Sequence, residues 1–175
     1  RYFAFDLRRF IDYNAYEGFR FGAGGQTTQG VSKWFSVGGY LAYSLRDKAF
    51  KYGANLKLNP IPEKELSLTF WYRDDVRESG GIRFNETWSI SGSAFIRDYM
   101  VEVMDITQEV EMSLGWRAFK FLTGQLYGLH GVYTPTNGYG YSLNDDNPQM
   151  LMTTFYISEA GIRLRYAYKE TYMKT

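Results

Sequence analysis

Residues 50–59 alternate without a break: Phe50, Tyr52, Ala54, Leu56 and Leu58 are apolar, whereas Lys51, Gly53, Asn55, Lys57 and Asn59 are polar or glycine. A period of two sends successive side chains to opposite sides of an extended chain, so this segment reads as a β-strand with one apolar and one wet face. The alternation returns in at least four other segments of about ten to twelve residues, roughly the length a tilted strand needs to cross a bilayer. A chain built from such segments is expected to form a sheet that separates an apolar medium from a polar one.

Turn chemistry divides the chain into a succession of strands. Residues 15–27 set Phe19, Phe21 and Ala23 against Arg20, Gly22 and Gly24, and Gln26 to Gly30 read as a polar turn. Residues 33–45 set Phe35, Val37, Leu41, Tyr43 and Leu45 against Ser36, Gly38, Tyr40, Ala42 and Ser44, with a tight turn at Arg46, Asp47 and Lys48. Pro60 and Pro62 are expected to close the Phe50 strand, because proline cannot donate to a central ladder. Residues 65–73 follow, with Leu66, Leu68, Phe70 and Tyr72 outward and Ser67, Thr69, Trp71 and Arg73 inward. Four strands joined by short connections make an antiparallel meander.

The pattern loosens from Asp74 to Asp105, where Ser79, Gly80 and Gly81 read as a loop, 88–97 as a strand, and 99–104 as strand or helical turn. Residues 107–117 restore it, with Val110, Met112, Leu114 and Trp116 against Glu109, Glu111, Ser113, Gly115 and Arg117, and 125–133 is its expected partner. A long polar loop is expected over 135–148, which on a bacterial barrel would face outside. The last strands are expected at 150–157 and 159–169, the second with Ala160, Ile162, Leu164, Tyr166 and Tyr168 opposed to Glu159, Gly161, Arg163, Arg165 and Lys169. The total is seven to nine strands in one domain spanning 1–175, either a barrel or a segment of one.

Composition narrows which medium the apolar face meets. The chain holds 16 Tyr, 13 Phe and 4 Trp, 19% aromatic, yet its charged fraction is 22%. That combination fits a transmembrane antiparallel up-and-down β-barrel with aromatic girdles outside and Arg, Lys, Glu and Asn inside. A Lys or Arg facing lipid near the midplane would cost about 2–4 kcal/mol, so the charges are expected inside. Glu17, Arg20, Lys51, Lys57, Arg73, Glu109, Glu111, Glu159, Arg163 and Arg165 are therefore the expected lumen-lining set. An internal salt-bridge network is the plainer account of them than a conduction path. Phe19, Phe21, Phe35, Val37, Leu41, Tyr52, Leu56, Leu58, Leu68, Phe70, Ile162, Leu164 and Tyr166 are the expected lipid-facing set. Tyr16, Trp34, Trp71, Trp88 and Trp116 are assigned to girdles or to packing of the lumen. The expected partners are the bilayer and other envelope proteins in a complex. A net charge of +1 without a basic run gives no support to nucleic acid as a partner. A soluble lipocalin-like barrel binding a lipophile alternates too, and stays an alternative.

Catalytic and metal signals are thin. The chain has no Cys, which removes thiolate catalysis and Cys-ligated zinc. Asp145, Asp146 and Asn147 lack the spaced ligands and Gly of a calcium loop, so no metal or other cofactor is expected. The glycines at 22, 24, 38 and 39 precede no helix with Lys-Ser/Thr, so they are strand glycines rather than a phosphate loop. His130 is the only histidine, and with Ser142 and Asn144 downstream it supplies the material for a phospholipase-like triad. The expectation is a non-catalytic protein, with an outer-membrane lipid-modifying enzyme as the alternative.

Asn14, Glu17, Gly18, Phe19, Arg20 and Gly22, followed by Gly24, Gly25 and Thr27, form an Asn-x-x-Glu-Gly-Phe-Arg-x-Gly phrase. It resembles the opening barrel strand of a Bacteroidota outer-membrane family that carries an N-terminal carboxypeptidase-regulatory-like β-sandwich and a large barrel domain of unknown function. Tyr52 and Gly53, then Tyr72, Arg73 and Asp74, then Glu159, Arg163, Arg165, Tyr166, Ala167 and Tyr168 are also similar to that family. The Gly-Phe-Arg strand is similar as well to barrels of the outer-membrane assembly and secretion superfamily. The resemblance implies a bacterial outer-membrane location and a transport, assembly or structural role. The sandwich domain and the later barrel strands of the family have no counterpart in the sequence. With no initiator Met or signal peptide before Arg1 and no terminal aromatic at Met173, Lys174 and Thr175, the chain is expected to be an internal segment of a larger barrel, cut at both ends.

Overall fold

The computed structural model describes residues 2–62, 65–79, 103–138, 140–142 and 151–168. It is all-β: among the described residues there is no α-helix, and one 3-10 turn, Leu7–Arg9, interrupts the strands. The elements are β1 (Phe3–Phe5), β2 (Ile11–Asn14), β3 (Gly18–Thr27), β4 (Phe35–Ser44), β5 (Phe50–Ile61), β6 (Leu66–Glu78), β7 (Met104–Phe119), β8 (Leu122–Pro135), β9 (Tyr141–Ser142), β10 (Leu151–Met152) and β11 (Phe155–Tyr166). A nine-stranded antiparallel sheet runs β1-β3-β4-β5-β6-β7-β8-β11, with β2 pairing β3 beside β1. The order is up-and-down and the sheet is not closed on itself.

Several boundaries differ from the expected ones for identifiable reasons. The expected strand at 15–27 begins only at Gly18, because Asn14 Oδ1 accepts from the Glu17 backbone N–H at 2.7 Å and folds 15–17 into a turn. Gly18 leaves that turn at φ 69°, a left-handed conformation that glycine adopts without strain. The prolines do not stop the Phe50 strand at Asn59. β5 runs through Pro60 to Ile61, with a register shift between Leu58 and Ile61 that absorbs the missing donor. β6 continues five residues beyond the expected Arg73, since Asp75 and Arg77 find partners on β3 and β7 that outweigh their poor strand propensity. β7 and β8 are each longer than expected, and β1 and β2 were not foreseen.

The strands expected at 150–157 and 159–169 join from Phe155 to Tyr166 into one strand, β11, paired with β8 from Phe155↔Tyr133 to Tyr166↔Leu122, while Leu151–Met152, at the start of the first of them, form β10. Within the expected polar loop, Pro135 ends β8 and Tyr141–Ser142 form β9, which pairs with β10 as a separate two-stranded piece. The strand expected at 88–97 and most of 99–104 lie outside the described residues, as do Gly80, Gly81, Trp88, Asn144, Asp145, Asp146, Asn147, Lys169 and the chain end at 173–175.

The sheet curls toward its polar face. Three strand spacings separate β3 from β6, about 14 Å on a flat sheet with side chains standing perpendicular to it. Arg20 on β3 nevertheless holds both carboxylate oxygens of Asp75 on β6, at 2.8 and 2.9 Å. Only a strongly curved sheet brings these side chains together.

Candidate membrane-facing surface and inner polar network

The distribution of buried and exposed side chains is opposite to that of a water-soluble domain. Among the described residues the buried hydrophobic side chains are Tyr40, Ala42, Met104, Leu129 and Tyr133. Asn14, Glu17, Ser44, Lys51, Asp105, Thr107, Glu109, Glu111 and Ser113 are buried as well, so polar groups outnumber apolar ones inside. Glu17 is 1% exposed and Ser44 0%, whereas Ile162 and Leu164 are 65% and 68% exposed.

Strand register makes the outward face continuous. Across β3, β4, β5 and β6, Ala23 pairs with Leu41, Leu41 with Tyr52, Val37 with Leu56, and Leu56 with Phe70. The face proceeds through Phe70↔Met112, Leu114↔Leu126 and Leu126↔Ile162. Phe19, Phe21, Phe35, Leu58, Leu68, Leu164 and Tyr166 lie on it too. Among the described residues of β3 to β8 and β11, this face carries no Lys or Arg; its acidic members are Asp74 and Glu78 near the end of β6. A water-exposed sheet face of this size would normally be dotted with Lys and Glu, so the omission is chemical information.

Aromatic side chains bracket the outward face. Toward the 45–49 turn, Tyr13 and Phe19 pack edge to face at 5.1 Å, Tyr43 lies 4.9 Å from Phe50, and Tyr52 6.1 Å from Tyr72. At the opposite end Phe121 and Tyr168 pack at 5.2 Å, and Trp34 and Tyr166 are exposed. Trp116 also points outward there, its indole lying over Gly124. Between the two sets lie mainly Ala, Leu, Val, Ile and Met. From Tyr43↔Phe50 to Phe35↔Leu58 is eight residue steps, roughly 27 Å along a strand. At a tilt near 40° this is about 21 Å of height, close to the roughly 25 Å apolar band of membrane barrels.

The inward face is held by ion pairs and hydrogen bonds across strands. Glu17 accepts from Asn14 Nδ2 and from the Ser44 hydroxyl, each at 2.6 Å, and lies 3.5 Å from Arg20. Lys51 approaches Glu17 at 4.0 Å and pairs with Asp47. Asp75 is gripped by Arg20 and accepts from the Tyr40 hydroxyl at 2.5 Å, and the Arg9 guanidinium stacks over the Tyr40 ring at 3.8 Å. On β6 and β7, Arg77 bonds Glu109 at 2.8 Å, Arg73 sits 3.8 Å from Glu109 and 3.4 Å from Glu111, and the Tyr133 hydroxyl donates to Glu109 at 2.6 Å. Trp71, assigned from sequence to a girdle or the lumen, lies on this face beneath the Arg73 guanidinium. A cavity of about 300 Å³ opens here among Arg9, Tyr40, Trp71, Arg73, Asp75 and Glu109.

Six of the ten predicted charged residues, Glu17, Arg20, Lys51, Arg73, Glu109 and Glu111, thus belong to this network. Glu159, Arg163 and Arg165 share the face but are exposed on the outermost strand, where Glu159 accepts from Tyr127 at 2.6 Å and Arg163 covers the Tyr127 ring. Lys57 is exposed near the other end of β5. Sequence reasoning missed Arg9, Tyr40, Asp75, Arg77, Asp105 and Tyr133. The signal for Asp75 and Arg77 was present: positions 73, 75 and 77 prolong the inward set of β6 by the same period of two.

Of the triad partners proposed for His130, Asn144 lies outside the described residues and the Ser142 side chain is not described. The His130 Nδ1 lies 2.8 Å from the Ser158 hydroxyl on the outward face, and its ring stacks on Tyr156. Among the described residues no carboxylate accepts from this ring and no group of three or more His, Asp or Glu is arranged to hold a metal. No described helix is long and apolar enough to cross a membrane, which bears on helices alone. In comparison with known proteins, the chain matches no family model, no curated sequence and no solved structure.

Proposed function

We propose that this chain is a membrane-spanning wall of an antiparallel β-barrel in a bacterial outer membrane, serving transport, assembly or structure without catalysis of its own. One observation carries the reading: an exposed apolar face, without Lys or Arg among the described residues of β3 to β8 and β11, backs onto a polar face where Glu17, Arg20, Lys51, Asp75, Arg73, Arg77 and Glu109 are buried or half-buried and paired. In water this arrangement exposes what should be buried. In a bilayer it satisfies both faces, because lipid takes the apolar side and the polar side turns to a shared lumen. The dense pairing of Glu17, Arg20, Lys51, Asp75, Arg73 and Glu109 favours a braced wall over a wide diffusion pore along these strands. Kinship with the Bacteroidota barrel family is proposed on the Asn14 to Thr27 phrase. The longer connections, 79–103 and 136–154, leave from one end and are assigned to the outside.

The test uses single cysteines at each position from 51 to 59 and at Phe50, in a chain that has none of its own, reconstituted in liposomes. Positions 50, 52, 56 and 58 should react with a lipid-soluble maleimide and positions 51, 55 and 57 with a water-soluble one. Protection of the apolar positions from both reagents, with the polar ones open to bulk water, would mean a soluble barrel with a filled core.

A second reading, a lipid-modifying enzyme, draws on the outward His130 and Ser158 pair. Phospholipid hydrolysis by the reconstituted chain that Ser158→Ala abolishes would establish it.

A further inference from the structure

The apolar face is interrupted where Tyr52, Asp74 and Gln108 line up on adjacent strands through the pairs Tyr52↔Asp74 and Asp74↔Gln108. All three point outward, on the side of the longer connections. Gln108 Nε2 donates to Asp74 at 3.2 Å, and the Tyr52 hydroxyl interacts with both Asp74 and Tyr72. The Tyr52 and Tyr72 rings lie 6.1 Å apart, tilted by 43°, and both are exposed. The protein thus gives this carboxylate neutral donors, on a face that has no Lys or Arg among the described residues.

A carboxylate flanked by two tyrosine rings is the chemistry that receives an ammonium ion: a charge-assisted hydrogen bond to the oxygens and the ring faces for the attached methylenes or methyls. An anionic head at the same spot would meet like charge without a compensating cation. We propose that Tyr52, Tyr72, Asp74 and Gln108 form a lipid-headgroup site selective for ammonium-bearing lipids. This rests on the membrane reading given above, and it fixes where the wall meets the headgroup layer on that side. Leu56, Phe70 and Met112 lie four residues deeper along their strands, in the hydrocarbon.

The experiment reconstitutes the whole chain in nanodiscs of equal phosphatidylethanolamine and phosphatidylglycerol, releases it into mild detergent, and counts retained lipids by native mass spectrometry. Phosphatidylethanolamine should be enriched about threefold over the input ratio, equivalent to about 0.7 kcal/mol. Asp74→Asn should remove the enrichment. Tyr52→Leu, which preserves the apolar face, should reduce it in a chain whose folding is not in question. Equal retention of both lipids, or enrichment untouched by both substitutions, overturns the site. A nitroxide at Leu126 separates the two readings. If it collides with oxygen and not with a water-soluble nickel chelate, the wall is in lipid and only the headgroup site is judged by the lipid counts. If the chelate reaches it, the membrane reading itself has failed and the site falls with it.

Discussion

At the residue scale, glycine placement has a reason that the linear order conceals. Tyr40 pairs with Gly53, Trp116 with Gly124, and Tyr127 with Gly161. In each pair the ring lies flat over the glycine: a Cβ on Gly53 would stand 2.5 Å from Tyr40 Cε1, one on Gly124 2.5 Å from Trp116, and one on Gly161 2.6 Å from the Tyr127 hydroxyl. The ring supplies cross-strand packing that a strand glycine otherwise forfeits. At Gly53 it also aims the Tyr40 hydroxyl at Asp75. Gly53→Val should displace this ring and cost about 1–3 kcal/mol, the usual penalty of overpacking, read as a lower urea midpoint with unchanged slope. Gly161→Val should cost less, because Tyr127 lies beside the exposed outermost strand and can swing away. The Arg20 and Asp75 pair, with side chains only 12% and 16% exposed, is a second residue-scale test. Asp75→Ala leaves a buried guanidinium near Glu17 alone and should destabilise by about 3 kcal/mol. Arg20→Ala with Asp75→Ala should cost clearly less than the sum of the single changes in a double-mutant cycle.

At the element scale, strands 3 to 6 were legible because both faces keep their character over whole strand lengths. β6 past Arg73 and the join at Ser158 and Glu159 were not. Asp74, Asp75, Ser158 and Glu159 have turn-like chemistry in isolation, and each is held in the ladder by a partner from another strand: Gln108, Arg20, His130 and Tyr127 respectively. Local propensity gives way to such tertiary partners. The faces themselves can be tested by moving a charge across a strand. Leu126→Arg, on the outward side of β8, should cost about 2–4 kcal/mol for folding into lipid vesicles if it lies near the midplane, whereas Gln125→Arg, one residue away on the inward side, should cost far less. Comparable penalties at the two positions would remove the distinction between the faces.

At the scale of the whole molecule, the proposed membrane wall should report its depth through its tryptophans. Trp116 points outward near one end, and Trp71 points into the polar network. In single-tryptophan variants reconstituted with brominated lipids, Trp116 should be quenched most by bromines placed near the headgroups, and Trp71 should be quenched little by any. Quenching of Trp71 equal to that of Trp116 would mean the polar face also meets lipid, which would dissolve the two-sided reading.

Alternation alone determined that this chain makes two-faced strands, which residues share each face, and that the connections are short enough for a meander. Those properties follow from a period of two and from turn chemistry, both local. Which charges meet was settled only by curvature. Arg20 and Asp75 are fifty-five positions apart and three strands distant, so nothing in their spacing marks them as a pair until the sheet bends toward its polar side. Register likewise decided which glycine lies under which ring and set Asp74 beside Tyr52 and Gln108, because lateral pairing depends on how whole strands slide against one another rather than on any single residue's preference.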